Sequence, residues 1–197
     1  MGEIGASADA LTEDIQDSED PLVPDRTCGT CTLCCKVYPV AELNKPAGTW
    51  CIHLAPGKGC TYREHRPHIC HQFFCGWRQD PNLGPEWKPE KSRFVLSVAR
   101  EYSAVVVTVD PGMPLAWKKE PYYSRLKVWA ERAFLENKRI VVLVSGQATV
   151  VLPDRDVPIG ALAPGDEIVI YREGAVYGAE RRQRKGQELA ASDRAGG

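Results

Sequence analysis

Cys28-Gly-Thr-Cys31-Thr-Leu-Cys34-Cys35 opens the one stretch of this chain that carries thiol or imidazole groups. Cys51, Cys60, Cys70 and Cys75 follow, with His53, His65, His68 and His71 among them. All eight cysteines and all four histidines thus fall within about a quarter of the 197 residues. Thiolate and imidazole are the side chains that bind zinc and iron best. Pro39, Pro46-Ala-Gly48, Pro56-Gly-Lys-Gly59, Asp80-Pro81-Asn82 and Gly84-Pro85 cut the same region into loops. A segment so rich in turn residues buries little apolar surface by itself. It needs a staple, and metal supplies one. Residues 26–91 therefore read as a small cysteine-rich module built around metal.

The chain beyond this module reads differently. Phe94, Leu96 and Val98 alternate with other residues, as in a half-buried strand. Ala104 to Val109 is continuously apolar and β-branched, a buried strand ended by Asp110-Pro111-Gly112. Pro121 opens a helix whose inner face carries Tyr122, Leu126, Trp129, Ala130, Ala133 and Phe134. Arg139–Val144 and Ala148–Leu152 form a hairpin across Ser145-Gly146-Gln147. Glu167–Tyr171 and Ala175–Tyr177 form a second across Glu173-Gly174, with Pro158–Gly165 as a long loop between the hairpins. The fold class is α+β: a metal-stapled module followed by a small β-rich α+β domain over residues 92–180.

Residues 1–25 hold eight acids and no Lys or Arg, and read as a disordered acidic leader. They lack the basic and apolar regions of a secretory signal. The expected compartment is the cytoplasm, where disulfides are rare and an even cysteine count points to metal. No apolar run reaches membrane-spanning length, so no membrane partner is expected. Residues 26–91 carry nine Lys and Arg against five acids, a surplus suited to an anionic thiolate site. Residues 181–197 read as a frayed basic tail. Its patch, Arg181-Arg182-Gln183-Arg184-Lys185, could touch nucleic acid but is better read as a solvated chain end.

Spacing narrows the chemistry further. A zinc knuckle offers one Cys-x2-Cys pair and a second further on. Cys28, Cys31 and Cys34 make two consecutive steps, closer to the run that grips an iron–sulfur cluster with a distant fourth ligand. Cys70 or Cys75 could supply that ligand. Eight thiols suffice for two four-coordinate sites or for one with thiols to spare, and spacing leaves their division open. His65 and His68 are expected to face solvent. His68, His71 and Cys75 would share a helix face, with His71 the reserve ligand, and His53 has no spacing argument. Arg66 could donate hydrogen bonds to thiolate or sulfide and so bind the cofactor, or equally pair with Glu64 at the surface. Tyr62, Phe73, Phe74 and Trp77 supply an apolar shell. Cys28-Gly-Thr-Cys31 lacks the strand-and-helix setting of a thioredoxin-like pair. Phosphate-binding and nucleotide fingerprints are absent from the sequence, as is HExxH.

Cys28, Cys31, Cys34 and Cys35, then Cys51 with Leu54, then Cys60, Tyr62, Arg66, Pro67 and Cys70, together resemble the YkgJ-type CxxCxxCC cysteine-cluster family. The resemblance covers about residues 28–75. It implies zinc or iron–sulfur binding, for the most part without a known reaction. Flagellin lysine-N-methylases carry a similar motif, so it also raises methylation as a remote alternative. This chain has His71 where many members carry a basic residue, and Cys75 extends the usual set.

The resulting expectation is a cytoplasmic protein whose eight cysteines ligate metal, as an iron–sulfur centre before zinc. Its task would be electron transfer, redox sensing or support of a partner enzyme. The rival is a structural zinc module in a protein- or nucleic-acid-interaction protein.

Overall fold

The computed structural model describes residues 22–55 and 57–183. It is an α+β fold, as the sequence predicts. The cysteine-rich part contains short elements only: α1 (Cys34–Val37), β1 (Leu54–Ala55) paired with β2 (Gly59–Cys60), α2 (His68–Gln72), α3 (Gly76–Gln79) and α4 (Pro89–Ser92). Helices of four or five residues hold no stability of their own. They depend on what they pack against.

That support is a five-stranded sheet of β3 (Phe94–Ala99), β4 (Ala104–Val109), β5 (Arg139–Val144), β6 (Gln147–Val151) and β7 (Asp156–Ala161), joined in that order. All neighbours are antiparallel except β4 and β5, which are parallel and linked through α5 (Tyr122–Leu135). One sheet face meets α5 through Phe94, Leu96, Val107, Val109, Ile140 and Val142, with Leu126 fully buried at the centre. Each such side chain stabilises the fold by roughly 1.5–3 kcal/mol. The other face carries Val106, Val141, Leu143 and Val150 beneath a hairpin of β8 (Asp166–Glu173) and β9 (Val176–Gln183). Ser145 and Gly146 both have positive φ (50° and 76°), as the two-residue turn between β5 and β6 requires.

The cysteine-rich part clasps the edge strand β3 from both sides. Leu83 and Trp87 join the α5-side core, where the Trp87 ring meets Phe94, Tyr122 and Trp129 at 5.1–5.9 Å between centroids. Leu33, Val37 and Tyr38 pack on Val95 from the opposite face. Gly76 approaches so closely that a Cβ there would stand 3.1 Å from Leu96 Cβ. Packing therefore runs unbroken across residue 91, where the sequence suggested a boundary.

This clasp explains one departure from the strand pattern. Phe94, Val95, Leu96 and Ser97 are all buried, while Val98 is half exposed, because both faces of β3 are covered at its start. The expected loop 158–165 is another departure, since residues 158–161 belong to β7. Pro158 is tolerated because β7 is an edge strand, and a register shift at Ala148/Thr149 with Gly160 at φ 87° absorbs the irregularity. The final hairpin is longer than expected: β9 reaches Gln183, so Arg181 and Arg182 are strand residues. Residues 1–21 of the leader, and Arg184, Lys185 and the rest of the tail, lie outside the described residues. The leader's last residues are strapped down, with Val23 N–H donating to Arg78 O at 2.8 Å. No helix among the described residues is long and apolar enough to cross a membrane.

Candidate metal centre

Local backbone geometry brings the cysteines together in pieces. Cys31 N–H closes a turn on Cys28 O (2.8 Å), and Cys35 N–H closes another on Thr32 O (3.0 Å). Cys51 N–H donates to Cys35 O (3.1 Å) and Leu54 N–H to Cys51 O (3.1 Å), while Leu54 pairs with Cys60 across β1 and β2. α2 starts at His68, after Pro67, so Cys70 lies in its first turn. Cys75 stands just ahead of α3. All eight cysteines are free thiols, with Cys28 and Cys70 exposed and the other six half-buried.

These pieces line two adjoining cavities. The larger has a volume of about 340 Å³ and is walled by every cysteine except Cys75. Lys45, Arg66, His53 and Tyr62 also face it. The smaller, about 30 Å³, touches Cys28, Cys31, Cys34 and Cys75, with Trp77, Arg78 and Lys88 around them. Among the described residues, no three Cys, His, Asp or Glu side chains are already gathered closely enough to hold an ion. The sulfurs ring open space, and metal–sulfur bonds of about 2.3 Å would draw them inward.

The surrounding charges suit a sulfur-rich anion. Arg66 donates to the Cys60 sulfur and also acts on Cys35 and Cys28; burial opposes its charge, but these partners prevail. Lys45 is buried to 7% exposure. Its ammonium donates to the carbonyls of Tyr38, Lys36 and Pro46. Burial lowers its proton affinity, and the thiolates of Cys51, Cys35 and Cys70 oppose that effect. Trp77 has a buried indole N–H without a partner among the described residues, beside the smaller cavity. A metal-bound thiolate is an acceptor for such a donor. On donor chemistry and on this orphaned N–H, the residues fit a metal or a cluster.

The thiols themselves are unequal. Cys34 hydrogen-bonds to Cys35, which raises the Cys34 thiol well above its ordinary value, with burial adding to the effect. The same bond brings Cys35 down to about 7 against burial, helped by Arg66 and Lys45. Burial pushes Cys70 and Cys75 up to about 11 and also raises Cys31. Apart from Cys35, these shifted thiols hold their protons at neutral pH, so an ion bound here would have to displace them.

Several sequence expectations need adjustment. His71 is exposed and touches neither cavity; the imidazole that reaches the larger one is His53, stacked on Tyr62 at 4.2 Å. Tyr62 and Phe73 wall the larger cavity and Trp77 the smaller, whereas Phe74 lies under the Arg78 guanidinium at 4.9 Å. Lys45 was missed, because a lysine in a turn gives no sign in sequence of being buried. Arg181 and Arg182 of the basic patch have acidic neighbours in Asp166 (3.7 Å) and Glu180 (2.5 Å).

Compared with known proteins, the chain matches no family model, no curated protein and no solved structure.

Proposed function

We propose that this is a cytoplasmic cysteine-cluster protein that holds an iron–sulfur centre and exchanges electrons with a protein partner. The observation that carries the proposal is the convergence of seven thiols, Lys45 and Arg66 on one cavity of about 340 Å³. A cavity of about 10–15 Å³ on the same measure holds one water. The space therefore suits a polynuclear group better than a lone ion.

An iron–sulfur centre supplies a one-electron couple, whose potential depends on net charge, hydrogen bonds to sulfur and exposure. The chain's own residues set those three quantities. Arg66 and Lys45 bring positive charge, which favours the more negative, reduced state. Arg66 also donates a hydrogen bond to Cys60 sulfur. Phe73 walls one side, while exposed Cys70 leaves an edge open to a partner. The resemblance to the YkgJ-type family supports the same proposal.

The test is purification without air from iron-replete cells, followed by visible absorption and assay of iron, zinc and acid-labile sulfide. A brown protein with matching iron and sulfide is expected. A colourless protein holding zinc alone would favour the structural zinc module. Reduced material that is folded and free of metal would overturn metal binding altogether.

A further inference from the structure

We infer that the eight cysteines form two unlike sites: Cys28, Cys31, Cys34 and Cys75 enclose a single zinc ion, and Cys35, Cys51, Cys60 and Cys70 hold the iron–sulfur cluster. This inference rests on the metal-binding proposal above and goes beyond it by assigning every ligand.

The two cavities divide the thiols. Cys75 lines only the smaller, and Cys35, Cys51, Cys60 and Cys70 line only the larger. Cys28, Cys31 and Cys34 stand in the wall between them, so the smaller cavity has four sulfurs around it and the larger retains four of its own. Backbone connections follow the same division. Cys28 and Cys31 share one tight turn, whereas Cys35, Cys51 and Cys60 are linked through Cys51 N–H to Cys35 O and through the pairing of β1 with β2.

Cys34 and Cys35 are the point of separation. Both lie in α1, where successive side chains diverge by about 100°. Cys34 packs with Phe73, Cys75 and Val95 against the sheet. Cys35 turns towards Arg66 and Lys45. The two sulfurs hydrogen-bond to each other, so one dipeptide reaches both centres.

Size distinguishes the occupants. The smaller cavity, about 30 Å³, matches one ion. It is packed against Trp77, Lys88 and Pro89 at the junction with the sheet. Four thiolates closed around one ion in a packed setting is the form of a structural zinc site. The larger cavity, about 340 Å³, has room for a cluster. Both cavities carry cations and an exposed cysteine, so size is what separates them.

The test compares the wild type, Cys75→Ser and Cys60→Ser after purification without air. The wild type is expected to hold about one zinc per chain together with iron and sulfide. Cys75→Ser should lose at least about nine-tenths of the zinc and keep its iron and sulfide, and Cys60→Ser should do the reverse. Parallel loss of both metals in either variant, or zinc unaffected by Cys75→Ser, overturns the division while leaving metal binding intact. Two zinc ions and no iron overturns the assignment of the larger site. A folded wild type without metal overturns the parent proposal as well.

A second measurement does not depend on the variants folding. The wild type is treated with a chelator until zinc alone is removed, then alkylated and mapped by mass spectrometry. Cys28, Cys31, Cys34 and Cys75 should become modified together while the other four stay protected. Any other grouping refutes the division.

Discussion

Trp87→Ala tests whether the cysteine-rich part and the sheet form one cooperative unit. Trp87 is 5% exposed and sits between Phe94 of β3 and Tyr122 and Trp129 of α5. Its neighbour Glu86 accepts a hydrogen bond from Tyr122 Oη at 2.9 Å, which fixes the same junction. Truncating a buried Trp costs about 3–5 kcal/mol. At about 2–4 °C per kcal/mol for a domain of this size, the midpoint should fall by about 6–20 °C. Trp87→Phe keeps a ring in the gap and should fall between. Lys88 and Pro89, the next two residues, wall the smaller cavity, so loosening Trp87 should loosen the metal too. The assay follows melting by circular dichroism and, in parallel, release of bound metal to an indicator. Both transitions should coincide in the wild type and move down together in the variant. A sheet that melts early while metal stays bound to the original temperature would refute the single-unit account, as would an unchanged midpoint.

Three further outcomes are expected. Asp156 accepts from Lys118 (2.7 Å), Lys127 (2.7 Å) and Tyr123 Oη (2.9 Å). Burial acts to raise its carboxyl, yet these partners hold it below the ordinary 3.8. Stabilisation from a depressed carboxyl is complete above its ordinary value and lost as pH falls through the folded one. Asp156→Asn should therefore cost about 2 kcal/mol at neutral pH, with the gap from wild type closing as pH falls below 3.8; melts whose separation persists in acid would count against it. Arg66→Ala should speed metal loss to a chelator by roughly ten- to a hundredfold, with partial rescue in Arg66→Lys; an unchanged rate would mean that the contact with Cys60 does not matter. In metal-stripped, reduced protein at neutral pH, the lowered Cys35 should be alkylated first. Its larger thiolate fraction, set against its weaker nucleophilicity, gives about a hundredfold lead over Cys75. Cys34→Ala should abolish most of that lead, and site-resolved mass spectrometry would detect a failure to do so.

The sequence carried the sheet's centre more plainly than its edges. Ala104–Val109 and α5 were readable because their apolar patterns come from burial on the strand and on one helix face. β7 was hidden by Pro158 and Gly160, residues that an edge strand accepts and a central strand rejects. β9 was hidden by Glu180, Arg181 and Arg182, since only one face of that hairpin is covered. For the site, residue type and clustering made the cysteines conspicuous, and Cys-x-x-Cys spacing gave the local turns. Their division between two cavities depends on which side of α1 faces the sheet, and no local pattern encodes that. Lys45 and the Trp77 indole N–H were invisible for the same reason: each gains its role from distant chain.

The placement on β3 has a physical logic of its own. An uncovered sheet edge offers unpaired backbone groups to other chains, and folded proteins cover it. Here the cover is a segment of very short helices that cannot fold unaided, so it must be held at both ends. Arg26 supplies one clamp, its guanidinium donating to the carbonyls of Trp77, Asp80, Pro81 and Leu83. Trp87 and Tyr38 supply the others, on opposite faces of the strand. What remains unsupported between the clamps is the ring of thiols. Lys45, Arg66, Arg78 and Lys88 surround it; Glu90 pairs with Lys88 at 2.9 Å, one acid against four cations. A ring of protonated thiols does not call for so many cations, whereas thiolates bound to metal remain net negative and do. The same ion would then close the gap in the clasp, which makes metal loss and exposure of the β3 edge a single event.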